Sequence, residues 1–107
     1  MAKRVLFLCS RNRLRSPTAE QVFASWPGIE VASAGLSPDA DEPCTAELVQ
    51  WADLIFVMEK SHRRKLARGF GRHVTARVVC LDIPDDHDFM APALVALLRA
   101  RVPRHLG

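Results

Sequence analysis

The sequence predicts an α/β fold, a parallel sheet with helices packed on both faces. Three observations predict it. Short apolar runs alternate with helix-length segments, in the order β-α-β-α-β-α-β-α. The runs RVLFLC at residues 4–9 and LIFV at residues 54–57 are almost unbroken in apolar character, as strands buried on both faces must be. The segments between runs are too long for hairpins, so the strands join through right-handed crossovers and lie parallel.

Each element has its own signal. Residues 4–9 form the first strand. In SPTAEQVFASW, residues 16–26, Ala19, Val22, Phe23 and Trp26 follow the spacing of one helix face. Ser16 suits the cap of that helix, Pro17 suits its first turn, and Pro27-Gly28 ends it. IEVASAG, residues 29–35, reads as a second strand closed by Gly35, and the polar LSPDADEP that follows reads as a loop. TAELVQWA is a helix with Thr45 or the preceding loop as its cap, and DLIFVME is the third strand. KSHRRKLARGF is a basic helix ending at Gly69 or Gly71, and TARVVCLDI is the fourth strand. Met90, Leu94, Leu97, Leu98 and Val102 mark a last amphipathic helix that starts near Pro92 and stops at Pro103.

With 107 residues, 49% of them hydrophobic and 25% charged, the chain reads as one globular domain over residues 1–107. No apolar run nears the roughly 18 residues that span a bilayer, so no membrane partner is expected. The N-terminal apolar run, Val5 to Leu8, is too short for a signal segment, which makes a cytoplasmic location the expectation. Cys9, Cys44 and Cys80 are odd in number and far apart, which fits free thiols in a reducing compartment. His62, His73, His87 and His105 are scattered and no close cysteine pair occurs, so neither a metal nor another cofactor is expected. The net charge of +3 favours an anionic partner without indicating nucleic acid. Residues 60–73 hold six Lys or Arg, and residues 82–88 hold four Asp. The basic run reads first as a solvated helix face.

Parallel α/β sheets place their sites at the C-terminal ends of strands. Two conspicuous segments lie there: the loop Cys9-Ser10-Arg11-Asn12-Arg13-Leu14-Arg15-Ser16, and the Asp-rich segment after the fourth strand. A loop running from a strand end into a helix N-terminus gathers backbone amides around one point, where the helix dipole adds positive charge. Arg15 at its end can grip two oxygens of a phosphate with its planar fork. A thiol in such a nest is held as a thiolate, and the Ser16 hydroxyl can donate a hydrogen bond to it. The thiolate would then lie behind the phosphorus of a bound monoester, ready for in-line attack. The leaving oxygen needs a proton donor, which the Asp-rich segment can supply from the same sheet edge.

Cys-x5-Arg followed by Ser-Pro after a first strand resembles the low-molecular-weight protein tyrosine phosphatases. SAG at residues 33–35, ADLIFVMEKSHRRKL at residues 52–66 and DIPD at residues 82–85 extend the resemblance in order along most of the chain. It implies a three-layer, flavodoxin-like (phosphatase I-like) sandwich with a four-stranded sheet in the order 2-1-3-4. It also implies a cytoplasmic enzyme of bacterial type that hydrolyses phosphate monoesters, phosphotyrosine foremost, through a phosphocysteine. Cys9 resembles the nucleophile, Arg15 the phosphate-gripping arginine and Asp85 the general acid, with Asp82 the alternative. Residues Ser10 to Ser16 resemble the phosphate-binding loop, with Asn12 tolerating a left-handed backbone and Ser16 supporting the thiolate. The implied partners are a phosphorylated protein or small phosphate ester, with inorganic phosphate or another oxyanion as product or inhibitor.

The chain departs from the family at several points. Arg11 replaces the usual Gly, which puts a Gly-dependent backbone angle in question, and Leu14 replaces a second Cys. Asp86 and His87 follow the acid where the family has Pro and an aromatic. The chain has no Tyr, and it is shorter between Gly35 and the third strand. Two other functions share the loop: arsenate reduction resolved by Cys44 or Cys80, and phosphate or phosphoprotein binding without turnover. Nucleic-acid binding through the basic helix is a variant of the second. Arg11 and Arg13 are surplus to the family pattern.

Overall fold

The computed structural model describes residues 2–106. Four strands, β1 (Lys3–Cys9), β2 (Ile29–Gly35), β3 (Leu54–Val57) and β4 (Arg77–Cys80), form one sheet in the order β2-β1-β3-β4. All three pairings are parallel, with Cys9 opposite Gly35, Leu8 opposite Val57 and Val57 opposite Cys80. Four helices connect and follow the strands: α1 (Arg15–Phe23), α2 (Ala46–Trp51), α3 (Lys60–Phe70) and α4 (Pro92–Arg101). This is the α/β sandwich and strand order expected from the sequence.

The alternation of side chains along the two central strands creates the layers. Val5, Phe7 and Cys9 of β1, with Leu54 and Phe56 of β3, face Ala19 and Phe23 of α1 and Leu94 and Leu98 of α4. Leu6 and Leu8, with Ile55 and Val57, face Val49 of α2 and Leu66 of α3. Both faces are covered, so the strands carry apolar residues at successive positions rather than at every second one. Phe7 sits between the rings of Phe23 and Phe56, with centroids 5.8 and 5.4 Å away. Cys9 is the last residue of β1 on the α1 side. The sheet delivers its sulfur beneath the start of that helix.

Several boundaries differ from the sequence expectation. Helix α1 ends at Phe23, three residues before Trp26, whose ring meets Phe23 edge-on at 5.1 Å and stays partly exposed. Leu14 is its N-cap, without a side-chain cap bond, and Ser16 lies inside the first turn, fully buried. Ser16 is therefore not the cap; its hydroxyl is used elsewhere. Thr45 caps α2 by accepting from the Leu48 amide at 3.1 Å. Strand β4 stops at Cys80, because Asp82 adopts a left-handed φ of 54° that breaks the extended run. The next residues still bond back to the β3 end, Leu81 N to Val57 O at 2.9 Å and Ile83 N to Met58 O at 2.8 Å. Those bonds fix where the Asp-rich segment leaves the sheet. Met90 lies outside α4 at φ 59°, its amide donating to the Thr18 hydroxyl at 2.9 Å. Among the described residues, no helix is long and apolar enough to cross a membrane.

Candidate active site

The loop between β1 and α1 is shaped by a second loop, residues 36–43. The carbonyls of Cys9, Ser10 and Arg11 accept from the amides of Leu36, Ser37 and Asp41 at 2.9, 2.8 and 3.0 Å. With its carbonyls turned outward, the loop turns amides inward. Among the described residues, the amides of Arg11, Arg13 and Leu14 donate to no protein acceptor. Unpaired amides at a helix N-terminus are a site for an anion. The tight apposition of the two loops depends on Gly35. A Cβ there would stand 2.4 Å from the Ala40 Cβ and 2.7 Å from the Ser10 carbonyl oxygen.

The left-handed residue of the loop is Asn12, at φ 55°, a conformation that Asn adopts more readily than most residues. Arg11 lies outside that region. The replacement of Gly by Arg11 therefore removes no backbone angle the loop requires. The buried Asn12 side chain donates from Nδ2 to Ser16 Oγ and to Ser33 Oγ, both at 2.9 Å, and Ser33 donates to Glu20 at 2.6 Å. Because Asn12 donates into Ser16 Oγ, the Ser16 proton is left for Cys9 Sγ, 2.9 Å away; the Ala34 carbonyl is more distant at 3.4 Å. The Asn12 amide adds a second donor to the sulfur at 3.2 Å. Two donors converge on one sulfur.

Arg15 is 2% exposed and its guanidinium is held on three sides. Nη1 donates to Glu59 Oε2 at 2.6 Å and to the Ile83 carbonyl at 2.8 Å, and Nε lies 3.5 Å from Asp85 Oδ1. Glu59 belongs to the β3–α3 junction, and its own amide donates to Nδ1 of His62 at 3.1 Å. That bond fixes the proton of neutral His62 on Nε2, which donates to Ser10 Oγ at 3.0 Å. Burial, and then the Arg15 charge, push His62 down to about 4. His62 is thus a neutral donor beneath the loop at ordinary pH, and it leaves the Ser10 proton free to point elsewhere.

Cys9, Ser10, Arg11, Arg13, Leu14, Arg15 and Asp85 line one cavity of about 440 Å³. Asn12 and Ser16 are packed behind it, buried in the network just described. The two Asp candidates separate clearly. Asp85 faces this cavity, whereas Asp82 lines other ones, accepting from Cys80 Sγ at 3.4 Å. His87 pairs with Asp86 at 3.3 Å. The remaining thiols stand apart from Cys9: Cys80 lines a cavity with Arg101 and His105, and Cys44 is pushed up to about 11 by burial. All three cysteines are free. Among the described residues, no group of three His, Cys, Asp or Glu side chains is placed to hold a metal.

Sequence reasoning missed Glu59, His62, Glu20 and Ser33. A signal existed for the first pair. The Glu59-x-x-His62 step stands at the C-terminal end of the third strand, on the same sheet edge as the ends of the first and fourth. Glu20 lies one helical turn after Ser16, a four-residue spacing that puts both on one face of α1.

No protein-family model matches the chain. It is 31% identical over 96 residues to a protein-arginine-phosphatase of Bacillus subtilis, and the match covers 64% of each chain. The chain thus spans less than two thirds of the length of that curated relative. Its fold is similar to that of the tyrosine phosphatase Wzb from Escherichia coli K30 in complex with phosphate. That match has a TM-score of 0.79 and 22% identity over 97% of this chain and 96% of the other. It is also similar to a YwlE arginine phosphatase mutant with a phosphorylated active-site serine, at a TM-score of 0.70 and 27% identity over 90% and 91% of the two chains. Vibrio vulnificus Wzb in complex with benzylphosphonate matches with a TM-score of 0.73 and 25% identity over 92% and 91%. With its strand order, its Cys9-to-Arg15 loop and these likenesses in sequence and fold, the chain resembles the low-molecular-weight protein tyrosine phosphatases.

Proposed function

We propose that the chain is a cysteine-dependent phosphatase that hydrolyses phosphate monoesters through a phosphocysteine, with phosphotyrosine in proteins as its foremost substrate. One observation carries the reading: a thiol with two hydrogen-bond donors aimed at it, a guanidinium and a carboxyl group line the same cavity.

The phosphate sits among the amides of Arg11, Arg13 and Leu14, with Arg15 on its equatorial oxygens. The Cys9 thiolate attacks phosphorus, the S–P bond forms, and the P–O bond to the leaving group breaks. Asp85, in its protonated form, gives that oxygen its proton. Asp85 then takes a proton from water, which attacks the phosphocysteine. The S–P bond breaks, inorganic phosphate forms, and the thiolate returns to the Ser16 hydroxyl and the Asn12 amide. Preorganised donors around developing charge lower the barrier because they need no reorganisation at the moment of reaction. The separation of Cys80 and Cys44 from the cavity gives the arsenate-reductase alternative no support. The three free cysteines support a cytoplasmic location.

The test is release of p-nitrophenol from p-nitrophenyl phosphate by the purified protein between pH 5 and 7. Turnover is expected, abolished by Cys9→Ser and inhibited by inorganic phosphate. Absence of turnover with intact phosphate binding would move the chain to the binding-module reading.

A further inference from the structure

The cavity carries more positive charge than one phosphate uses. Of its three guanidinium groups, Arg15 is buried and committed to Glu59, the Ile83 carbonyl and Asp85. Arg11 and Arg13 are exposed at the mouth. Among the described residues, Arg11 makes no side-chain hydrogen bond and no ion pair. Its charge acts on Asp39, whose carboxyl is held below the usual range first by the Ser37 hydroxyl and then by Arg11. Arg13 meets Asp41 through Nε at 3.3 Å, in a pair whose side chains are 49% and 58% exposed. Exposed pairs of this kind contribute little and exchange partners readily. Yet the backbone beneath both side chains is fixed, because the Arg11 carbonyl is bonded to the Asp41 amide and the Asn12 side chain is buried in its network. Two exposed cations therefore stand on a hydrogen-bonded loop, beside a cavity whose lining includes no aromatic ring.

We propose that Arg11 and Arg13 form a second anion subsite, so that the preferred substrate is a phosphate ester carrying another negative group close to the reacting phosphate. This deepens the phosphatase reading and rests on it. The second group is a carboxylate or a further phosphate, borne either by an acidic peptide around the phosphorylated residue or by a small doubly anionic ester. A phosphorylated residue amid Lys and Arg is disfavoured by the same charges, since like charges brought together at the mouth repel.

The test compares binding and turnover across matched substrates. Phosphotyrosyl peptides differing only in flanks (Asp/Glu, Ala or Lys) are titrated onto Cys9→Ser protein and turned over by the parent. Phenyl phosphate and carboxyphenyl phosphate form the small-ester arm. At low salt the acidic member of either series is expected to be favoured about three- to tenfold over the neutral one, and the advantage to shrink at about 0.5 M salt, as it does for exposed charges. Arg11→Ala with Arg13→Ala removes the advantage, and Lys at both positions restores part of it. A preference confined to the peptides assigns phosphoproteins as the source, and one confined to the small ester assigns free metabolite-sized esters. A preference absent from both series, or surviving the double Ala variant, overturns the subsite. If phenyl phosphate is never hydrolysed, the phosphatase reading fails, while the Cys9→Ser titrations still decide the subsite.

Discussion

Glu59 is the residue whose removal tests the architecture of the site most directly. Arg15 is 2% exposed and Glu59 41% exposed, and they meet at 2.6 Å. A charge buried without a partner is costly, so Glu59 offsets what the fold spends in burying Arg15. A hydrogen bond to a charged group contributes about 1.5–3 kcal/mol and one between neutral groups about 0.5–1.5 kcal/mol. Glu59→Gln, which keeps shape and an acceptor oxygen, is therefore expected to cost about 1 kcal/mol. Glu59→Ala is expected to cost about 2 kcal/mol, below the roughly 3–5 kcal/mol of a wholly buried pair, because water reaches Glu59. For a chain of this size about 1 kcal/mol moves the melting temperature by roughly 4–8 °C, so the two variants should fall in that order, Gln first and Ala further. The assay is thermal unfolding with and without phosphate. Excess phosphate gives Arg15 a replacement anion, so the gap between Ala variant and parent should narrow as phosphate is added. An Ala variant that melts with the parent, or a gap that widens with phosphate, refutes the view that Glu59 neutralises Arg15.

Three further outcomes are expected. Asp85→Asn should lower kcat on an ester with a poor leaving group by about 10²–10⁴-fold, the usual contribution of a positioned acid, whereas Asp82→Asn should change it little; equal losses would undo the assignment to Asp85. Gly35→Ala forces a carbon to 2.4 Å from the Ala40 Cβ and should destabilise the protein by about 1–3 kcal/mol, as overpacking does, while weakening phosphate binding, measured by calorimetry. His62 has a folded value near 4 against 6.5 when free, so unfolding binds a proton between those values. Its contribution to stability is full above pH 6.5 and lost as pH falls toward 4, amounting to about 3 kcal/mol at roughly 1.4 kcal/mol per unit. Denaturant midpoints across that range should slope less in His62→Gln than in the parent.

What was legible in the sequence divides along a physical line. The strands were legible because burial on both faces leaves unbroken apolar runs, and the order of elements then dictated parallel pairing. That Cys9, Arg15 and Asp85 meet at one cavity was legible because the segments that carry them leave the C-terminal ends of strands in one parallel sheet. Ser16 was placed correctly near the sulfur but given a second role as cap that it does not have, since hydroxyls at helix starts serve either purpose and sequence does not say which. The end of α1 was misplaced because Trp26 keeps the helical period while the chain has already turned. Glu59 and His62 were not legible as site residues, because their role arises from β3 lying beside β1, a contact between residues 44 and 52 positions apart.

The same three-dimensional view changes the meaning of Arg11. A glycine is replaceable where its backbone angle is ordinary and its missing side chain leaves open space. Arg11 meets both conditions: the left-handed φ falls on Asn12 next door, and the Arg11 side chain runs out to solvent at the cavity mouth. The steric demand that keeps this loop tight falls on Gly35, across the sheet edge, where a Cβ would collide with both Ala40 and the Ser10 carbonyl. The loop therefore takes a cation at position 11 at no cost to its geometry. Nor does the Arg11 side chain anchor the fold, making no hydrogen bond or ion pair among the described residues. A long, exposed, charged side chain with no hydrogen bond or ion pair of its own among the described residues, set at the opening above a thiol, is placed to meet what enters the cavity.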